Sequence, residues 1–231
     1  MTEGSTRERI VEAASALLAE GGREAVSTRA VSTAAGVQAP TIYRIFGDKR
    51  GLLDAVASRG FADYLRTKTT RERHPDPVED LRRGFNLHVG FGLAHPALYT
   101  LIYGEPRPGA ASPAEREAAA VLAGMIRRVA EAGRLRVSEE RAAHLVHSTG
   151  CGITFTLIGQ PPDRRDLALV DMAREAVLAA VTTDPPAGPG PDEGPVAAAV
   201  ALRAVLPGLD VLSSAERGLL QEWLDRVAAD R

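Results

Sequence analysis

Ile10, Ala13, Ala14, Leu17 and Leu18 recur three and four residues apart, a spacing that lays apolar side chains along one face of a helix. Ser5-Thr6-Arg7-Glu8 ahead of them has the form of a capping box, in which a hydroxyl and an acid satisfy the free amides of a first turn. A first helix is expected over about 6–20, stopped by Gly21-Gly22. A second, carrying Ala30, Val31 and Ala34, begins behind Ser27 or Thr28 and ends at Gly36, a residue suited to the left-handed conformation. Pro40 fits the first turn of a third, where no amide donor is needed; Thr41 to Phe46 complete it and Gly47 ends it. Asp48 is placed to cap a fourth helix reaching about Arg66.

Helices two turns long are marginal alone, because nucleation is costly, so the second and third must pack on the first and fourth. Val26, Val31, Ala34, Val37, Ile42, Ile45, Phe46, Leu52 and Leu53 are the expected shared core. With a tight turn at Ala35-Gly36-Val37, this is the spacing of a helix-turn-helix. His74-Pro75-Asp76-Pro77 breaks the chain, and helical segments follow near 77–94, 96–104, 113–133, 138–159 and 163–183. Asp184-Pro185-Pro186-Ala187-Gly188-Pro189-Gly190-Pro191 reads as a linker. Two more helices are expected near 195–206 and 213–229; the second opens at Ser213 or Ser214, and its Leu219, Leu220, Trp223, Leu224 and Val227 should dock on the C-terminal domain or on another subunit.

Abundant Ala and Leu, 4% aromatics and few β-branched runs support an all-α fold: an N-terminal three-helix helix-turn-helix domain and a larger C-terminal helical domain. The net charge of −2 argues against a general polyanion binder. Its distribution changes that picture. Between 44 and 73 the bases Arg44, Lys49, Arg50, Arg59, Arg66, Lys68, Arg71 and Arg73 outnumber the acids Asp48, Asp54, Asp63 and Glu72. A single cysteine, Cys151, excludes an intramolecular disulfide and fits a reducing interior. With no signal-like leader and no apolar run near the roughly 20 residues that span a bilayer, a soluble cytoplasmic protein without membrane partners is expected.

A helix-turn-helix sets its second helix in the DNA major groove, with the N-terminal residues of that helix against base edges. Here these are Gln38, Ala39, Pro40, Thr41, Tyr43 and Arg44. Gln pairs with adenine, Arg with guanine, and the Thr methyl meets that of thymine. Thr28, Tyr43 and Lys49 are types that bond phosphates, and the amides opening the Asp48-capped helix can join them.

Residues 6 to about 66 resemble the N-terminal domain of the tetracycline-repressor (TetR) family of transcriptional regulators. The resemblance is carried by Ser27-Thr28-Arg29, Ala34-Ala35-Gly36-Val37, Pro40-Thr41-Ile42-Tyr43 and Phe46-Gly47-Asp48-Lys49-Arg50 followed by Leu52-Leu53. It implies phosphate contacts at Thr28, Tyr43 and Lys49, bases facing Gln38, Thr41 and Arg44, and Arg29, Ala39 and Pro40 within the same DNA-contacting set. Ala39 stands where the founding tetracycline repressors have a base-reading Gln, so a different operator is expected. The resemblance further implies a homodimer, a double-stranded palindromic operator, a small-molecule effector held in the C-terminal domain, and no cofactor. A repressor released by its effector is the leading expectation; an activator on the same fold is the alternative.

The resemblance sets a DNA-binding domain at 6–66 and an effector-binding and dimerisation domain at 67–184, and the Pro/Gly run with the helices after it makes 185–231 a linker and helical hairpin beyond what that fold requires. In the second domain, Phe91-Gly92-Leu93-Ala94-His95-Pro96-Ala97-Leu98-Tyr99 is the most family-like stretch. A pocket needs apolar walls and a few polar groups, and Phe85, His88, Phe91, Tyr99, Tyr103, His147 and Phe155 are its candidates, for an uncharged or weakly polar ligand. Glu140, His144, His147 and Cys151 share one helix face, but four side chains strung over three turns span too far to converge on one metal ion. A polar stripe along the pocket or the dimer seam is the preferred reading, and no metal is expected. Gly150 and Gly152 suggest close approach of another helix, placing 138–159 and 163–183 near the dimer interface. No catalytic residue is expected: a helical-bundle enzyme or carrier using His144, His147 and Cys151 is the rival, and no Ser-His-Asp order, phosphate loop, dinucleotide fingerprint or HExxH supports it.

Overall fold

The computed structural model describes residues 3–70, 73–105, 111–183 and 195–229. Among them are eleven α-helices and no strand: α1 Glu3–Ala25, α2 Thr28–Ala35, α3 Ala39–Phe46, α4 Lys49–Thr70, α5 Pro77–Ala94, α6 Pro96–Tyr103, α7 Pro113–Glu131, α8 Glu139–Ile158, α9 Ala168–Val181, α10 Pro195–Val205 and α11 Ser214–Ala229. The expected linker at 184–191 lies outside the described residues. No helix among them is long and apolar enough to cross a membrane.

Two compact units divide the chain, one of Met1–Arg71 with Gly90–Ala118, the other of Glu72–Val89 with Ala119–Arg231. In the first, α2, α4 and α6 pack on α1, and α3 packs between α2 and α4. Its core is built from Ile10, Ala14, Leu18, Val26, Val31, Ile42, Leu52, Leu53 and Phe61, all at most 3% exposed. Ala34, expected in that core, is exposed, and Ala35 is buried instead. Val31 and Ala35 are four residues apart and so share the face that α2 lays on α1. Val37, Ile45 and Phe46 are half-buried.

Glycines mark the turns. The backbone departs from helical geometry at Gly21 and Gly22, and a short turn then carries α1 to Ala25. Gly36 ends α2 with φ 62°, its amide donating to the carbonyls of Ser32 and Thr33, while Val37 N donates to Ser32 O at 3.0 Å. Arg9 Nε donates across to Ala35 O at 3.0 Å, so α1 satisfies a carbonyl at the end of α2. α4 extends past the expected Arg66 to Thr70, because no breaker intervenes before His74-Pro75.

In the second unit α8 packs on α9, and α10 on α11. α7 stops at Glu131, and Gly133 takes φ 69°. The segment expected to be helical from 163 forms a single 3-10 turn, Pro162–Arg164, before α9 starts at Ala168. Asp166 Oδ1 accepts from Ala168 N at 3.1 Å and so starts the helix late. Ion pairs tie the loops down: Arg128 meets Asp80 at 2.7 Å and Arg134 meets Asp76 at 2.6 Å. Asp76 also accepts from Val78 N at 2.8 Å; slight burial opposes its ionisation, but that amide and Arg134 together hold the carboxyl below its usual range. The hairpin is fastened to its own chain by Arg203, which faces Asp225 at 2.7 Å and Glu140 at 3.4 Å, and by Arg127, which donates to Ala204 O. Its apolar stripe splits: Leu220 and Leu224 pack with Ala199 and Leu206, whereas Leu219, Trp223 and Val227 are exposed.

Candidate nucleic-acid interface and effector region

α3 carries the DNA-facing candidates because Ile42, 1% exposed, pins one side of the helix to the core and turns the other side out. Gln38, Pro40, Tyr43 and Arg44 are exposed; Ala39 and Thr41 are half-buried. Gln38 takes an extended backbone just before the helix and makes no side-chain cap, so its amide is not consumed by helix initiation. Ser27, not Thr28, caps α2, accepting from Ala30 N at 3.1 Å. The Thr28 hydroxyl instead lies 3.4 Å from the Tyr43 hydroxyl. The structure thus brings two phosphate-type groups, fifteen residues apart in sequence, side by side on one surface.

Lys49 and Arg50 stand exposed at the start of α4, and Arg29 is exposed on α2. Gly47 takes φ 79° between α3 and α4, and Asp48 Oδ1 accepts from Gly51 N at 2.7 Å. Asp48 is therefore the α4 cap that the sequence suggested, and that bond commits one of the α4 amides expected to be open to phosphate. The approach here is close: a Cβ on Gly51 would lie 2.0 Å from Phe46 O. Arg7 places its guanidinium 5.4 Å from the Phe46 ring centroid, which steadies the same corner. No composition or periodicity signal marked Arg7 or Gly51.

The seven effector candidates fall into two groups. In the first unit Phe91 and Tyr99 are core residues, 6% and 0% exposed, and Tyr103 is half-buried with its ring 4.8 Å from Tyr99. They belong to a larger aromatic cluster that the sequence reading missed: Tyr64 stacks on Phe91 at 4.4 Å and tilts against Phe61 at 5.1 Å. Burial pushes the Tyr64 phenol up, so it stays neutral at any ordinary pH. The signal was available, since Phe61 and Tyr64 are three apart on α4.

In the second unit Phe85 is buried, His88 and Phe155 are half-buried and His147 is exposed. His88 and His147 lie 6.3 Å apart by ring centroid, and both meet the Cys151 thiol, His88 Nε2 at 3.9 Å and His147 Nε2 at 3.6 Å. The expected stripe is therefore divided. Glu140 is drawn to Arg203, whose cation with the local backbone keeps the carboxyl low despite partial burial, and His144 is exposed. Among the described residues no group of three or more acidic, His or Cys side chains is arranged to hold a metal ion. Gly150 does have a close neighbour, but it is α5 of the same chain: an added Cβ would meet His88 Cδ2 at 3.2 Å and Phe85 Cε2 at 3.6 Å. Around Gly152 there is open space.

Residues 10–56 match the family model for bacterial regulatory proteins of the tetR family, and residues 81–228 match that for the tetracyclin repressor-like C-terminal domain. Similar solved structures include a protein of unknown function from Rhodococcus sp. RHA1, 26% identical with TM-score 0.61, covering 78% of this chain and 97% of that one. A single-site TetR variant from Acinetobacter baumannii AYE, in complex with minocycline, is 20% identical with TM-score 0.58, covering 78% and 96%. SmeT, the repressor of the Stenotrophomonas maltophilia multidrug efflux pump SmeDEF, is 23% identical with TM-score 0.58, covering 80% and 96%. No curated protein matches in sequence.

Proposed function

The chain belongs to the TetR family of DNA-binding bacterial transcriptional regulators, and from that premise we propose that it is a cytoplasmic repressor that binds a palindromic operator as a homodimer and is released by a small molecule. Regulators of this family are DNA-binding proteins rather than enzymes. The observation that carries the proposal is the surface on which Thr28, Tyr43 and the exposed face of α3 meet, with Lys49 following at the start of α4. On it Thr28, Tyr43, Lys49 and Arg29 hold phosphates and fix register, while Gln38, Thr41 and Arg44 read base edges with Ala39 and Pro40 closing the apolar contact. Residues 6–66 serve DNA binding and 67–184 effector binding and dimerisation, with the hairpin of α10 and α11 falling inside the matched C-terminal domain.

The effector reading is supported by a minocycline-bound relative and by a relative that represses a multidrug efflux pump. Two recognition helices in a dimer must lie about one turn of DNA apart to engage both half-sites, so an effector that favours another spacing releases the operator. Selection of bound duplexes from a random pool tests the proposal. A palindromic consensus whose affinity falls steeply with salt is the expected outcome; uniform, sequence-independent binding rejects it.

A further inference from the structure

We infer that the outer face of the α10–α11 hairpin is a self-association surface, which joins the chain to a second copy of itself through antiparallel pairing of α11. This goes beyond the proposed function: it adds an interface to the one expected at α8 and α9 and stands without it.

The hairpin has two sides. Arg127 of α7 donates to Ala204 O, and Arg203 reaches Asp225 at 2.7 Å and Glu140 at 3.4 Å, so Ala204 and Asp225 mark the side turned to the rest of the unit. Residues two apart in a helix point about 200° away from one another, which turns Leu202 away from Ala204 and Trp223 away from Asp225. Val205 lies one turn on from Leu202, and Leu219 and Val227 one turn either side of Trp223. The five apolar side chains that the hairpin does not bury therefore share its outer face, each 40–52% exposed. Exposed hydrophobics scattered singly are ordinary, but these five together leave roughly 450 Å² of apolar-rich surface open, the size of patch that marks an interaction site. Trp223, the one tryptophan of the chain, sits in the middle of its stripe, and tryptophan is enriched at the anchor points of interfaces.

Charge selects the occupant. A two-fold interface uses one patch twice, so the patch must be its own complement. Leu224 packs on α10 with Ala199 and Leu206, and Glu222 and Arg226 each lie about 200° round from it, on the flank of α11 away from α10. These two pair with each other, one turn apart. Antiparallel pairing about Trp223 sets each of them beside its opposite in the second copy, so two cross-pairs form. The other acid along the stripe, Glu216, is turned back on Ser213, accepting from its amide at 2.8 Å and its hydroxyl at 2.6 Å. The exposed pair thus offers no surplus of either sign for a strongly charged partner to match. With its polar rim each copy contributes about 600 Å², the low end of specific interfaces, so association is reversible at micromolar concentration. On the regulator reading, two dimers joined in this way carry two DNA-reading pairs, and occupancy of one operator raises the local concentration at a second.

The test is sedimentation equilibrium of the full chain without DNA across the micromolar range. The mass should double with concentration, from one chain to two or, where α8 and α9 also pair, from two to four. Trp223 emission should move to the blue over the same range. Leu219→Glu should raise the association midpoint about tenfold. Glu222→Arg and Arg226→Glu should each stay apart alone, because like charges then face each other across the two-fold, and should associate when mixed in equal amounts. All three positions are exposed, and circular dichroism checks that helicity is kept. A mass that neither rises with concentration nor drops on Leu219→Glu overturns the inference, as does a mixture that stays apart. Binding of the face to phosphatidylglycerol vesicles, with no doubling of mass in solution, overturns it in favour of a lipid surface. Because no DNA enters these measurements, this inference and the regulator reading fail separately.

Discussion

Gln38 and Lys49 are exposed alike, yet under the proposed function they should fail in different ways. With Gln38 proposed to read a base edge, Gln38→Ala should cost about 1–3 kcal/mol against the preferred site and relax selectivity at one position per half-site. With Lys49 proposed to hold a phosphate, Lys49→Ala should weaken all sequences about equally, lowering the salt-dependence slope by about 1 for each half-site. Fluorescence anisotropy on a panel of single-base operator variants at several salt concentrations separates the two outcomes. Equal loss across the panel for Gln38→Ala would show that it is not a base-reading residue.

Among the elements, the α3–α4 corner has least room. Gly51→Ala would drive a methyl into Phe46 O, and relief requires moving backbone, so a loss of about 2–3 kcal/mol is expected in denaturant unfolding. Gly124→Ala, in the interior of α7 with nothing within 4 Å of the new methyl, should instead stabilise by about 0.5–1 kcal/mol. Ser27→Ala should cost about 1 kcal/mol through the lost bond to Ala30 N. These contrasts also show what was legible beforehand. Several caps and breaks were: Gly36, Pro40, Gly47 and Asp48 act where local backbone chemistry puts them, whereas α1 begins at Glu3, ahead of the capping box expected at Ser5. Which of Ala34 and Ala35 faces inward was not, because it depends on how α2 rolls against α1. The Thr28–Tyr43 and His88–Cys151 meetings were also hidden, since each joins helices whose mutual angle no local pattern encodes. The DNA-facing candidates come from family resemblance and rest on it; the aromatic cluster around Tyr64 was lost among ordinary core spacing.

At the scale of the whole molecule, the charges of the second unit make its stability depend on pH. Two hydrogen bonds from Arg82, at 2.9 and 3.0 Å, hold the Glu175 carboxyl at about 2, against a usual 4.5. A depressed carboxylate stabilises the fold fully above its unfolded value, and that contribution fades as pH falls from about 4.5 through about 2. Thermal unfolding of Glu175→Gln across that range should therefore show a shallower acid slope than the wild type, and the two curves should converge at the acid end. Partial exposure of the pair keeps the difference small.

A Cβ on Gly51 would fall 2.0 Å from Phe46 O, so the corner between α3 and α4 has no room for a side chain at that position. On the proposed interface, a new operator would be met by exchanging the side chains that α3 displays around that fixed corner. Positions 38–44 other than the buried Ile42 are then the set a protein engineer would exchange to retarget the proposed interface.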